Sequence, residues 1–167
     1  MDPRELRTVA AQIRLLVLDV DGVLTDGRLY YDADGRETKS FHVRDGYGIQ
    51  QVLAAGLLVA VISGRRSTAA AARLAELQVP HVFLGRNDKR QVLEQLLAEL
   101  GIPVASVACV GDDVTDLEIM VPAGLAITVA NAHPDVLRAA DWVTVAAGGR
   151  GAVREVCDLL LAARQAA

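Results

Sequence analysis

The chain has 167 residues, 52% of them apolar and 23% charged, with a formal net charge of −4; this excludes a disordered chain and favours one domain over residues 1–167. No basic run or stripe marks a nucleic-acid partner, and no apolar run has the length that crosses a membrane. The two cysteines, Cys109 and Cys157, lack metal-ligand spacing and read as buried thiols, and with no basic-then-apolar leader at the N-terminus a cytoplasmic location is expected.

In chain order, the first strong signal is the apolar run 15–19, a buried strand that ends in an acid. Residues 28–43 follow, with Asp34-Gly35 between strand-like runs, the mark of a β-hairpin. Helical patterns cover 46–55, 67–77, 89–100 and 134–139, and a last amphipathic helix runs from 149 or 150 to 163. Between them lie short runs rich in Val and Ile at 57–62, 82–84, 106–110 and 125–129. Strand and helix in alternation predict an α/β fold of Rossmann-like type, a doubly wound and mostly parallel sheet with the hairpin projecting from it.

Acids gather at the predicted strand ends. Asp19 and Asp21 are two apart in extended backbone, so both can face one site; crowded carboxylates of this kind need a cation or a proton between them. Gly111-Asp112-Asp113 and Asp116 follow another strand, where Asp113 and Asp116 also suit a helix start. If the two strands are neighbours, Asp19, Asp21 and Asp112 converge on one hard cation, for which Mg²⁺ is the natural choice beside phosphate. Ser63-Gly64-Arg65 places a hydroxyl, a glycine and a guanidinium at a third strand mouth before a helix, a setting that favours phosphate. Lys89 opens the helix after the fourth; alone it would read as a surface lysine.

Taken together, Asp19/Asp21/Thr25, Ser63, Lys89 and Asp112/Asp113/Asp116 resemble the four motifs of the haloacid dehalogenase superfamily. Asp19 to Gly27, His42 to Ile49, Val129 to Pro134 and Gly148 to Asp158 extend the resemblance, over nearly the whole chain, to the 3-deoxy-D-manno-octulosonate 8-phosphate phosphatase family. The resemblance implies a cap-less haloacid dehalogenase fold, a homotetramer, Mg²⁺, and hydrolysis of a small phosphorylated sugar acid in lipopolysaccharide precursor synthesis. It implies Asp19 as nucleophile, Asp21 as acid and base, and Ser63 and Lys89 on the phosphoryl oxygens. Asp19, Asp21 (through its backbone carbonyl) and Asp112 would hold the metal, with Asp113 and Asp116 orienting them. Substrate contacts fall on Arg44, Asp45, Gly46, Gly64, Arg65, Arg73 and Lys89.

The chain departs from the family pattern at Gln50, where arginine is expected, and at Leu77-Gln78-Val79, where Leu-Gly-Ile is expected. The tyrosines Tyr30, Tyr31 and Tyr47 are expected to pack rather than to react. No segment near the acids has room for a helical cap, so the site would stand open. The hairpin 28–43, marginal by itself, is then the element expected to associate with its counterparts in other subunits. Two alternatives use similar parts: a phosphatase of a nine-carbon sugar acid 9-phosphate, and a non-catalytic phospho-acceptor or partner-binding domain.

Overall fold

In the computed structural model, which describes residues 1–165, a six-stranded parallel sheet has the order β5-β4-β1-β6-β7-β8. Its strands are β1 (Leu15–Leu18), β4 (Leu58–Ser63), β5 (His81–Leu84), β6 (Val107–Gly111), β7 (Leu125–Thr128) and β8 (Trp142–Val143). β1 lies at the centre, with Leu15 in register with Leu58 on one side and Val107 on the other. The four residues of β1 are all buried, because both faces of the sheet are covered. Leu16 and Leu18 join the core under α1 (Pro3–Ala11), α2 (Val43–Ala54), α3 (Thr68–Glu76) and α7 (Ala152–Gln165). Leu15 and Val17 join the opposite core under α4 (Lys89–Leu100), α5 (Leu117–Met120) and α6 (Pro134–Ala139). Each buried Leu, Ile or Val contributes about 1.5–3 kcal/mol relative to exposure. The expected thiols belong to these cores: Cys109 and Cys157 are both fully buried.

The doubly wound architecture is the one the alternation of elements predicts, with differences at element ends and in short pieces. α2 begins at Val43, three positions before the periodicity suggests. α7 begins at Ala152, just beyond the glycine-rich stretch. α1, β8 and α5 were not expected. α1 has a clear local cause: Asp2 caps it, accepting from the backbone N–H of Arg4 and Glu5 at 2.8 and 2.9 Å, with a proline in the first turn. The hairpin consists of β2 (Tyr30–Tyr31) and β3 (Glu37–Thr38), antiparallel and separate from the main sheet. Tyr30 and Tyr31 on the hairpin and Tyr47 on α2 are exposed rather than packed, at 41%, 57% and 52%, although the Arg154 guanidinium lies over the Tyr47 ring, 5.3 Å from its centroid.

Two glycine-dependent approaches shape the loop that follows β1. Gly22 has φ +88°, and a Cβ built on it would lie 1.9 Å from Asp112 Oδ2. Gly148, after β8, sits so close beneath the same loop that a Cβ there would fall 1.6 Å from the Gly22 carbonyl oxygen. Gly149 N–H donates to the Val23 carbonyl at 3.0 Å. Asn131, after β7, holds the wedge in place by accepting from Gly148 N–H at 2.9 Å.

Candidate active site

Parallel strands deliver their following loops to one end of a sheet, and ligand sites of open α/β folds lie there. The loops after β1, β4, β5 and β6 enclose a cleft of about 470 Å³ lined by Asp19, Asp21, Ser63, Arg65, Lys89 and Asp112, among others. A larger groove of about 700 Å³ runs between α1 and α7, but Arg7 is the only charged side chain in its lining, so the acid cleft is the chemical candidate.

Asp19 extends β1 by one residue, its N–H donating to the Val110 carbonyl at 3.1 Å. The chain then turns through Val20–Leu24, and Thr25 Oγ1 closes the turn by accepting from Gly22 and Gly27 N–H, both at 3.3 Å. Lys89, at the first turn of α4, reaches across beneath the cleft. Its Nζ donates to Asp19 Oδ1 at 2.8 Å and to Asp116 Oδ1 at 2.6 Å, and the ammonium side chain is only 5% exposed. The other Asp116 oxygen accepts from the N–H groups of Asp112 and Asp113 at 3.0 and 3.2 Å. Asp113 caps the short turn after β6, accepting from Val114 N–H at 2.7 Å. The backbone of Asp112 is held as well, its carbonyl accepting from His133 N–H at 2.8 Å.

The charges do not balance. Lys89 answers Asp19 and Asp116, but among the described residues no lysine or arginine pairs with Asp112. Burial, and then the carboxylates of Asp19, Asp116 and Asp113, push the Asp112 pKa up to about 7. Burial, offset only in part by Lys89, pushes Asp19 up to about 6. Burial works against the Lys89 ammonium, yet the two carboxylates outweigh it and raise its pKa. Oxygens of Asp19, Asp112 and Asp116 lie within 4.8 Å of one another. Hard oxygen donors with surplus negative charge fit a divalent cation.

Asp21 takes a different direction from the expected trio. Its carboxylate turns toward the hairpin, where Oδ1 meets Lys39 Nζ and Oδ2 lies 3.6 Å from Arg65 Nε. Ser63, at the end of β4, is buried and lines the cleft beside Gly64 and Arg65. Arg65 also donates to Glu37 at 2.6 Å and to the Tyr31 hydroxyl at 3.2 Å. Arg44, Asp45, Gly46 and Arg73 do not line the cleft. Arg44 is exposed on α2. Asp45 is buried and accepts from Arg154 N–H at 2.7 Å. Arg73 lies against Gly46, where a Cβ would meet its guanidinium at 2.2 Å, and pairs with Glu76 at 2.8 Å.

Three residues near the cleft carry no expectation from the sequence: Asn87 and Thr115 in its wall and Lys39 beside it. Asn87 is brought to the wall because the loops after β4 and β5 are stitched together, Arg86 N–H donating to the Ser63 carbonyl at 3.0 Å. Lys39 is brought by the end of the hairpin, just after β3, and a lysine in a turn-rich segment gives no sign of burial.

This chain is 50% identical over 157 residues to the 3-deoxy-D-manno-octulosonate 8-phosphate phosphatase of Salmonella typhi, spanning 94% of this chain and 84% of that relative. The Escherichia coli K12 protein of the same name is likewise 50% identical, over 155 residues. The chain belongs to the 3-deoxy-D-manno-octulosonate 8-phosphate phosphatase family. A profile of haloacid dehalogenase-like hydrolases also matches residues 82–155. Among solved structures of the family, that from Moraxella catarrhalis, in complex with magnesium, phosphate and KDO, superposes with a TM-score of 0.96. It is 40% identical, with 98% of this chain and 94% of that chain covered. The cobalt-bound family member from Haemophilus influenzae superposes with a TM-score of 0.90 at 41% identity, covering 94% of this chain and 92% of that one.

Proposed function

We propose that the protein is a Mg²⁺-dependent phosphatase that hydrolyses 3-deoxy-D-manno-octulosonate 8-phosphate, a phosphorylated sugar acid of lipopolysaccharide precursor synthesis, to the free sugar acid and inorganic phosphate. The observation that carries the reading is the buried Asp19–Lys89–Asp116 array beside an Asp112 that has no cation of its own. The similarity to relatives of that name supports the substrate.

In this reading the carboxylates of Asp19 and Asp112 and the backbone carbonyl of Asp21 would hold Mg²⁺. The metal would neutralise charge on the phosphoryl oxygens and on the two acids. Asp116 has its oxygens committed to Lys89 and to backbone N–H groups, and serves with Asp113 to orient the loop. A carboxylate oxygen of Asp19 attacks phosphorus, as carboxylate nucleophiles do. The bond from phosphorus to the sugar oxygen breaks, and its electron pair leaves on that oxygen, which takes the Asp21 proton. Water then attacks the aspartyl phosphate while giving a proton to Asp21. The bond to Asp19 breaks, restoring the carboxylate and releasing phosphate. Ser63 and Lys89 hold the phosphoryl oxygens throughout.

Arg65 and Gly64 at the cleft wall are the recognition residues nearest the chemistry, and a guanidinium suits the carboxylate of a sugar acid. Arg44, Asp45, Gly46 and Arg73 lie outside this chain's own cleft; in this reading the exposed Arg44 acts at the cleft of a neighbouring subunit, while the buried Asp45 and Gly46, with Arg73 packed against Gly46, fix the start of α2. The place given to Arg44 agrees with a homotetramer joined through the hairpin. Leu29, Tyr30, Tyr31, Val43 and Tyr47, on the hairpin and the start of α2, are all exposed large apolar or aromatic side chains. The reduced, buried cysteines suit a cytoplasmic setting, and no helix among the described residues is long and apolar enough to cross a membrane.

The test is phosphate release from a panel of esters with Mg²⁺ present: the eight-carbon sugar acid 8-phosphate, a nine-carbon sugar acid 9-phosphate, and neutral sugar phosphates. The eight-carbon ester should be preferred, and Asp19→Asn should reduce release to background. No release from any ester removes the reading; preference for the nine-carbon ester moves the substrate.

A further inference from the structure

Among the described residues, Lys39 is the one cation with a buried side chain near the cleft to which the reading above gives no task. Its side chain is only 1% exposed. Lysine is almost never buried unless paired, since removing an ammonium from water costs several kcal/mol. Here the partners are Asp21, whose Oδ1 receives a hydrogen bond from Nζ, and Glu37, whose Oε1 lies 3.4 Å away. Arg65 completes the arrangement from β4's side, 3.6 Å from Asp21 Oδ2 and 2.6 Å from Glu37 Oε2. Ser67 Oγ donates to Glu37 Oε1 at 2.6 Å and ties the arrangement to the start of α3. Two carboxylates and two cations thus alternate, one of each from the hairpin and one of each from the strand-end loops.

The consequence lies in which group needs holding. Asp19 is fixed by Lys89, but Asp21 sits two residues further into the loop, and among the described residues its carboxylate accepts a hydrogen bond from Lys39 alone. Its carboxylate has one anchor of hydrogen-bond length, and that anchor comes from β3's end. We infer that Lys39 is a positioning residue for the reaction: by occupying Asp21 Oδ1 it sets the rotamer in which Oδ2 is presented to the leaving oxygen, so the hairpin aims the acid. This rests on the phosphatase reading and adds a part to it. The competing explanation is that Lys39 merely staples the hairpin down. A staple supports every substrate alike, whereas aiming an acid matters only to esters whose leaving oxygen needs a proton.

The experiment compares kcat/KM for 3-deoxy-D-manno-octulosonate 8-phosphate, an alkyl ester, with that for p-nitrophenyl phosphate, whose phenolate leaves without a proton. kcat/KM ends at departure of the leaving group, so Asp21's later service to water does not enter. Lys39→Met should lower the alkyl value about 100-fold, the lower end of a general acid's contribution, and the aryl value less than about threefold. Lys39→Arg should recover most of the alkyl value, and a crystal structure of Lys39→Met should show the Asp21 carboxyl rotated. Lys39→Gln serves the same comparison if the methionine variant does not fold. Equal losses on both esters, no loss on either, or an unmoved Asp21 would overturn the inference while leaving the phosphatase reading intact. A wild-type enzyme that releases phosphate from neither ester would overturn both.

Discussion

Lys89 holds two carboxylates in a dry place, and removing one member of a buried charge set leaves the others uncompensated. Lys89→Met should therefore destabilise the fold by about 3–5 kcal/mol in denaturant titration at pH 8, and less at pH 5, where protonation relieves Asp19. The same acids set a pH dependence whose sign is opposite to that of an ordinary salt-bridged aspartate. Their folded-state pKa values, about 6 for Asp19 and about 7 for Asp112, lie above the unfolded value, so the folded state binds the extra protons. Stability from these groups is full below the unfolded pKa and is lost as pH rises through 6 to 7. Metal-free protein should thus melt lower at pH 8 than at pH 5.5, and the rise in melting temperature on adding Mg²⁺ should be larger at pH 8. An Mg²⁺ shift that is greater at pH 5.5 would contradict a cation seated on these carboxylates. Asp19, Asp112 and Lys89 are legible in the sequence because each ends a strand or opens a helix. Lys39 is not, because its burial depends on how a projecting hairpin folds back.

Helices with strong periodicity were readable, Lys89–Leu100 to the residue, whereas β8 has only two residues and offers no period to detect. α1 did carry a signal, the Asp-Pro start followed by Leu6, Val9, Ala10 and Ile13 at helical spacing, and that face packs on the core. The departure at Gln78 finds its meaning in backbone geometry. Gln78 has φ +58°, the left-handed region, at the turn between α3 and β5. Glycine, the residue the family resemblance expects, adopts that region without the strain of a Cβ. Gln78→Gly should stabilise the protein by about 1 kcal/mol, seen as a rise in melting temperature of about 2–4 °C, with no change in activity. A lowered melting temperature would show that the glutamine side chain contributes more than its backbone costs.

At the scale of the molecule, the sequence carries the layers but not the strand order, which is what makes Asp19 and Asp112 neighbours through the β1–β6 pairing. Association of subunits is argued from what one chain leaves uncovered. If the proposed homotetramer forms through the hairpin, Tyr31→Asp at that exposed surface should shift the species seen by light scattering toward smaller forms and lower activity with it. A wild-type protein that stays monomeric and active would remove the role given to the hairpin. The wedge formed by Gly148 has a consequence for synthesis. A nascent polypeptide that has emerged as far as Val143 already contains every acid of the cleft, yet the support beneath the Gly22 carbonyl is still inside the ribosome. The loop after β1 can therefore settle only once Gly148 and Gly149 have been made, more than a hundred residues after Asp19 itself.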